Sequence, residues 1–266
     1  MQIAHECPLV LMEDSRDWTD YDYALAHLFK SNKQYYQYFV DSLKLGRTVI
    51  MDNGVFETGT PMPLKELAHW VDKLQPTEYI ISDVLENNVQ TIENCEKWCS
   101  LYKDRFSSSI SIGVAQGQNY NDFIWCYNQL VGLVDKIAIS FDYKWYRELA
   151  PHPNQYVSWM LGRVLLVNRM IQDGVLATSI PHHFLGVSLP IEGKFYNQYQ
   201  WLESLDTSSP VVHGILGITY EKNFGLYHKE SQHLDKIIDC VLTEEQMNRI
   251  SYNVHEFRKY WTGNKF

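Results

Sequence analysis

Acidic and amide side chains recur where short apolar runs end. "TVIM" is followed by Asp52 and Asn53, "YIIS" by Asp83, "IGVA" by Gln116, "IAISF" by Asp142 and "WLESL" by Asp206. A carboxylate can attack a carbon, carry a proton or accept hydrogen bonds, and carboxylates converging on one substrate suit glycosyl or proton-transfer chemistry. Asp, Asn and Gly also end strands simply as turn and cap residues, and for any one of these positions that reading suffices. As a set it is weaker, because turn chemistry does not ask for a Gln in "VAQG" or for an acid after successive runs.

Something must bring such residues together. Eight short apolar runs are candidate strands: "IAHECPLVLM", "DYALAHLF", "TVIMDNG", "EYIISDV", "SISIGVAQG", "KIAISFDY", "HHFLGVSLP" and "WLESLDTS". Stretches of helical period separate most of them. Leu64, Leu67, Val71 and Leu74 share a face after Pro63, Val89, Ile92, Cys95 and Cys99 follow an Asn87-Asn88 cap signal, and Phe123, Tyr127, Leu130 and Val134 form a third stripe. A fourth runs Val157, Met160, Val164, Val167 and Ile171 up to Gly174, and a last one opens at Thr243 with Gln246 as a capping box and continues through Met247, Ile250, Val254, Phe257 and Trp261. Strands alternating with helices imply a parallel sheet, and eight of them favour an α/β, (β/α)8 TIM barrel over an open doubly wound sheet. The expectation is a single TIM-barrel domain over residues 1–266 with a C-terminal helix at about 243–262. All C-terminal strand ends of such a barrel share one rim. His182 and His183 precede the "FLGV" run, so they belong at the far end as structural residues, and His213 is left without a role.

Composition narrows the class. The 266 residues are 45% hydrophobic and 14% aromatic, enough for a sizeable core. No run long enough for a membrane span and no signal-peptide pattern is read, so a cytoplasmic setting without membrane contact is expected. The five cysteines, Cys7, Cys95, Cys99, Cys126 and Cys240, are odd in number and contain no C-x-x-C pair, so Cys95 and Cys99 read as small buried hydrophobes. A net charge of −9 is the wrong sign for coating nucleic acid with the whole surface, though it permits a local basic strip.

The strand-end segments resemble those of the queuine/archaeosine tRNA-guanine transglycosylase superfamily. "MDNGVFETG" is similar to that family's "DSGGFQ", "IISDV" to its next acidic strand end, "IGVAQGQ" to "GIVQGG", "HHFLGVSLP" to "YLMGVG", and "SLDTSSP" to the "FDSASY" stretch that carries the nucleophile. "KIAISFDY" stands in the place of "YAIGGLA", the order agrees, and Gly186 and Asp206 are 20 residues apart, close to the family interval. The likeness spans roughly residues 48–210. Three departures stand beside it. The zinc-binding insertion after the nucleophile strand is missing, Ser140-Phe141 replaces the "GG" of the fifth segment, and the chain is much shorter than tRNA-modifying members. Short zinc-less relatives are similar to phage and bacterial enzymes that place 7-deazaguanine derivatives in DNA.

On that resemblance Asp206 is the candidate nucleophile and Asp52 the candidate acid/base, giving exchange of guanine for a 7-deazaguanine base with net retention. Asp83 would accept from guanine N1–H and N2 amino, while Gln116 and the Gly117 N–H would donate to O6. Ser140 and Phe141 would line the base, Gly186 would let the backbone approach it, and Phe56 or Phe141 would stack on it. The target base must be single-stranded or flipped out. Lys144, Arg147 and Lys194 are candidate nucleic-acid contacts, with Lys222, Arg258, Lys259 and Lys265 as further basic residues. The resemblance implies no zinc and no cofactor beyond the 7-deazaguanine co-substrate, and it favours DNA over tRNA as partner, with a homodimer left open. Rival readings are a tRNA-guanine transglycosylase, a hydrolytic N-glycosidase on the same carboxylates, and a non-catalytic nucleic-acid-binding subunit.

Overall fold

The structure is a computed structural model that describes residues 1–223 and 236–263. Eight strands form one sheet: β1 (Gln2–His5), β2 (Asp22–Leu25), β3 (Val49–Asp52), β4 (Glu78–Ile80), β5 (Ile110–Val114), β6 (Lys136–Ile139), β7 (His182–Phe184) and β8 (Leu202–Thr207). Their order is β1-β8-β7-β6-β5-β4-β3-β2, and the pairings of β1 with β8 and of β2 through β6 with one another are all parallel. Sequential, parallel strands with helices between them are the α/β, (β/α)8 fold expected from the eight runs.

By internal contacts the chain divides into two compact units. One is built from Tyr21–Ser140 and Ala177–His183, and holds β2 to β6. Its helices Lys33–Lys44, Leu64–Leu74, Asn88–Tyr102 and Tyr120–Leu130 each follow a strand. Asn32, Asn87 and Asn119 cap three of them, each side chain accepting a first-turn amide. Such caps are worth about 1 kcal/mol apiece. Two aromatic clusters fill the helix–strand layer: Phe29 with Tyr35, Phe39 and Trp70, and Tyr79 with Trp98 and Phe106. Trp98 Nε1 donates to Tyr79 Oη at 3.1 Å, so this indole is buried without losing its hydrogen bond.

Trp98 also corrects the second helical stripe. Val89 is 53% exposed while Trp98 is fully buried, so the inward face runs Thr91, Ile92, Cys95 and Trp98, with Cys99 at its margin. Ile171 and Met247 likewise turn outward and Val157 is half-buried, while the other members of those stripes, Met160, Val164, Val167, Ile250, Val254, Phe257 and Trp261, are buried.

The other unit comprises Met1–Asp20, Phe141–Leu176 and the described part of Phe184–Phe266, and carries β1 and β8. Its long helices are Gln155–Gln172, capped by Asn154, and Glu244–Thr262, where Thr243 and Gln246 form the expected capping box. The latter packs Trp261 against Tyr196 and Phe257 against His5. Arg258 belongs to this packing rather than to a basic surface strip. It is buried, pairs with Asp20 at 2.8 Å and donates to the Trp18 carbonyl at 3.1 Å. The side chain of Lys222 and the whole of Lys265 lie outside the described residues.

Candidate active site

In the first unit, the strand-end residues after β3, β4 and β5 meet around one carboxylate. Asp83 is buried, and each of its oxygens receives a side-chain amide: Asn53 Nδ2 donates to Oδ1 at 2.9 Å and Gln116 Nε2 to Oδ2 at 2.7 Å. Burial pushes the Asp83 carboxyl above its ordinary range, and these two amides oppose that push. Asn53 is fixed in turn, since Nδ2 also reaches the Ile81 carbonyl at 3.1 Å and Oδ1 accepts from Val55 N at 2.9 Å. Gln116 is oriented from both ends, because Oε1 accepts from Glu86 N at 3.0 Å. Glu86 sits at φ 56°, a left-handed conformation uncommon outside glycine, and the Gln116 contact helps hold it there.

The hydrogen-bond capacity left over decides what the cluster can read. A carboxylate offers about four lone-pair positions, of which these amides take two, and the Gln116 amide has a second N–H to give. Donors meeting Asp83 beside an acceptor meeting Gln116 is the pattern presented by a guanine-type edge.

Asp52 closes β3 and is half-buried, directly before Asn53. The turn that follows opens at Gly54, whose φ of 75° and 2.2 Å approach of an added Cβ to His27 Nδ1 both demand glycine. His27, in the short helix after β2, is therefore a strand-end residue that the sequence reading passed over. Phe56 is half-buried in the next turn. Gly117 has a packing reason for its identity, since an added Cβ would stand 2.4 Å from the Phe123 backbone nitrogen. Ser140 follows β6 and is half-buried.

The second unit holds the other acidic residue. Asp206 lies in β8, is 4% exposed, and both its oxygens lie 3.2 Å from the Gly186 amide, which donates to them. The backbone bond from Val187 N to the Asp206 carbonyl and the bond from Thr207 Oγ1 to the Val187 carbonyl stitch the same two segments together at 3.0 and 2.6 Å. Gly186 adopts φ 56°, and an added Cβ would stand 2.5 Å from the Phe141 ring. The face of Gly186 expected to admit a base is therefore covered by Phe141, which itself packs edge-on against Trp159 at 5.4 Å. Lys144, Arg147 and Lys194 are exposed in this unit, with Lys194 Nζ 5.2 Å from the Tyr260 ring centroid.

His182, His183 and His213, the histidines singled out in the sequence, are buried. His182 accepts or donates at 2.8 Å to Tyr127 Oη, His183 stacks on Tyr23 at 5.9 Å, and His213 Nδ1 lies 2.7 Å from the Ser209 carbonyl. Burial lowers the His182 pKa to about 4. Cys126 contributes behind Gln116, its sulfur accepting from the Gln116 N–H at 3.4 Å, and burial pushes its thiol up to about 12. Among the described residues no group of three or more His, Cys, Asp or Glu side chains could hold a metal ion, and no helix is long and apolar enough to cross a membrane.

His27, Asn53, Arg163 and Glu192 lie beside these side chains, and the sequence alone assigned none of them a role. Asn53 was visible as the second polar residue after β3, and Arg163 as a lone cation inside the apolar stripe from Met160 to Val167. Compared with known proteins, the chain matches no family model and no curated relative.

Proposed function

We propose that the chain is a guanine transglycosylase, exchanging guanine in a nucleic acid, DNA in preference to tRNA, for a 7-deazaguanine base. The observation that carries this reading is the Asp83 carboxylate held between the Asn53 and Gln116 amides. That cluster has acceptors for guanine N1–H and N2 amino and a donor for O6, and adenine would leave the O6 donor and a carboxylate acceptor unpaired, at about 1–3 kcal/mol for each. The resemblance of the strand-end segments supplies the reaction.

In this reading an Asp206 oxygen bonds to C1′ as the C1′–N9 bond breaks. The electron pair leaves on guanine, which takes a proton from Asp52. The incoming base then gives its N9 proton to Asp52 while N9 displaces Asp206, and two inversions leave the anomeric configuration retained. The Gly186 amide holds the Asp206 carboxylate in one orientation for that attack. Exposed Lys144, Arg147 and Lys194 supply phosphate contacts in an otherwise acidic chain.

The test is incubation with guanine-labelled DNA and, separately, guanine-labelled tRNA, each with and without a 7-deazaguanine base. The reading expects label release that depends on added base, matched by base incorporation into DNA. Incorporation into tRNA alone reverses the polymer assignment. Release without added base makes the chain a hydrolase, and binding without release makes it a silent subunit.

A further inference from the structure

Asp206 is held by a backbone amide, so whatever fixes the backbone at Gly186 also fixes Asp206. A buried ion pair does this. Arg163 and Glu192 are both 1% exposed or less and meet at two points, Nε to Oε1 at 2.7 Å and Nη2 to Oε2 at 2.9 Å. The remaining guanidinium donors reach the segment before Asp206's partner: Nη1 to the Leu185 carbonyl at 3.1 Å and Nη2 to the Gly186 carbonyl at 3.3 Å. The guanidinium also lies 4.6 Å from the Phe184 ring centroid at the end of β7.

A buried charge pair of this kind is a poor source of stability, because desolvation offsets the attraction. Burial pushes the Glu192 carboxyl up and Arg163 pulls it back, and the two-point geometry is that of an ionised pair. Tyr146 and Tyr196, the other titratable groups acting on Arg163 among the described residues, are pushed up by burial and stay neutral, so Glu192 is the group that balances the guanidinium. Close packing of the helix that carries Arg163 fixes its root: an added Cβ at the preceding Gly162 would stand 2.3 Å from Tyr146 Cβ.

We infer that Arg163, braced by Glu192, is a positioning residue that clamps the Leu185 and Gly186 carbonyls and thereby aims the Gly186 amide at Asp206. The inference rests on the role proposed for Asp206, but its geometry is measurable without any reaction. In the full-length protein, the Gly186 amide proton should be protected from hydrogen exchange, and Asp206→Ala, which removes its acceptor, should erase most of that protection. In Glu192→Gln and Arg163→Lys the Gly186 protection should fall about tenfold or more, since a backbone no longer clamped lets the N–H swing off the carboxylate. If base exchange is observed, kcat in both variants should fall about 10- to 100-fold with KM little changed, the signature of a misplaced reacting group. A Gly186 amide unprotected in the wild-type protein overturns the inference, and needs no variant to fold. So does Gly186 protection unaltered in folded Glu192→Gln. Absence of base exchange in the wild type with the Gly186 protection intact would instead reject the proposed reaction and leave the clamp standing.

Discussion

The two buried carboxylates meet different kinds of donor. Asp83 is gripped by side chains, the amides of Asn53 and Gln116 arriving from the ends of β3 and β5. Asp206 is gripped by backbone, the amide of Gly186 just past β7. Side-chain donors with spare valence suit recognition, because they can share the carboxylate with a ligand. A backbone amide with its carbonyls clamped by Arg163 suits a group that must attack from one fixed direction. The difference teaches that equal burial does not mean equal work.

Four substitutions test that contrast, taken here from the largest effect down. Asp206→Ala should lower base exchange by at least about 1,000-fold, the range expected when a covalent step is lost. Its melting temperature should stay near wild type, and a residual rate within tenfold of wild type would remove Asp206 from the chemistry. Asp52→Asn should cost about 100- to 10,000-fold in kcat by removing a proton carrier. Single-turnover rates would check it, and a variant rate within tenfold of wild type would remove Asp52 from the proton transfer.

His182 sharpens the contrast by separating stability from activity. Its pKa falls from 6.5 free to about 4 folded, so the unfolded chain binds the extra proton between those values. Stability is therefore lost as pH falls from 6.5 toward 4, by at most roughly 3 kcal/mol. Denaturant midpoints from pH 7 down to 4 should decline in the wild type and decline less in His182→Gln; equal slopes would mean another group carries the effect.

The smallest effect on the fold is expected at Asp83. Its folded carboxyl lies above the ordinary 3.8, so the native state binds the proton more tightly than the unfolded chain. Stability then falls as pH rises from 3.8 through the raised folded value, and the ionised carboxylate costs stability at neutral pH. Asp83→Asn should leave the melting temperature unchanged or raised while guanine selectivity drops by about 5- to 150-fold, the ratio for one unpaired group. Unchanged selectivity with a lowered melting temperature would make Asp83 a purely structural acid.

Much of the fold was readable in the chain, because eight short β-rich runs bounded by turn residues leave few other topologies. The Lys33–Lys44 helix was harder: its buried face is Tyr35, Tyr38, Phe39 and Ser42, residues at home in strands as much as in helices. Asp83 and Gln116 were readable as strand-end polar residues, and the structure joins them directly. Asn53 was seen after β3 but given no role, because an Asn beside a Gly reads as a turn. Arg163 and Glu192 are 29 residues apart, and no local pattern links a cation in one helix to an acid in a later turn. Gly186 was singled out for closeness to a base, whereas its neighbours are the Phe141 ring and the Asp206 carboxylate.

The most direct test of the account is the covalent link itself. The full-length protein is mixed with a guanine-containing single-stranded oligonucleotide, quenched in denaturant and analysed by intact mass and peptide mapping. The account predicts an adduct that has lost guanine, attached at Asp206, absent from Asp206→Ala and discharged by adding a 7-deazaguanine base. An adduct of unchanged yield in Asp206→Ala, or one mapped to another residue, would contradict it.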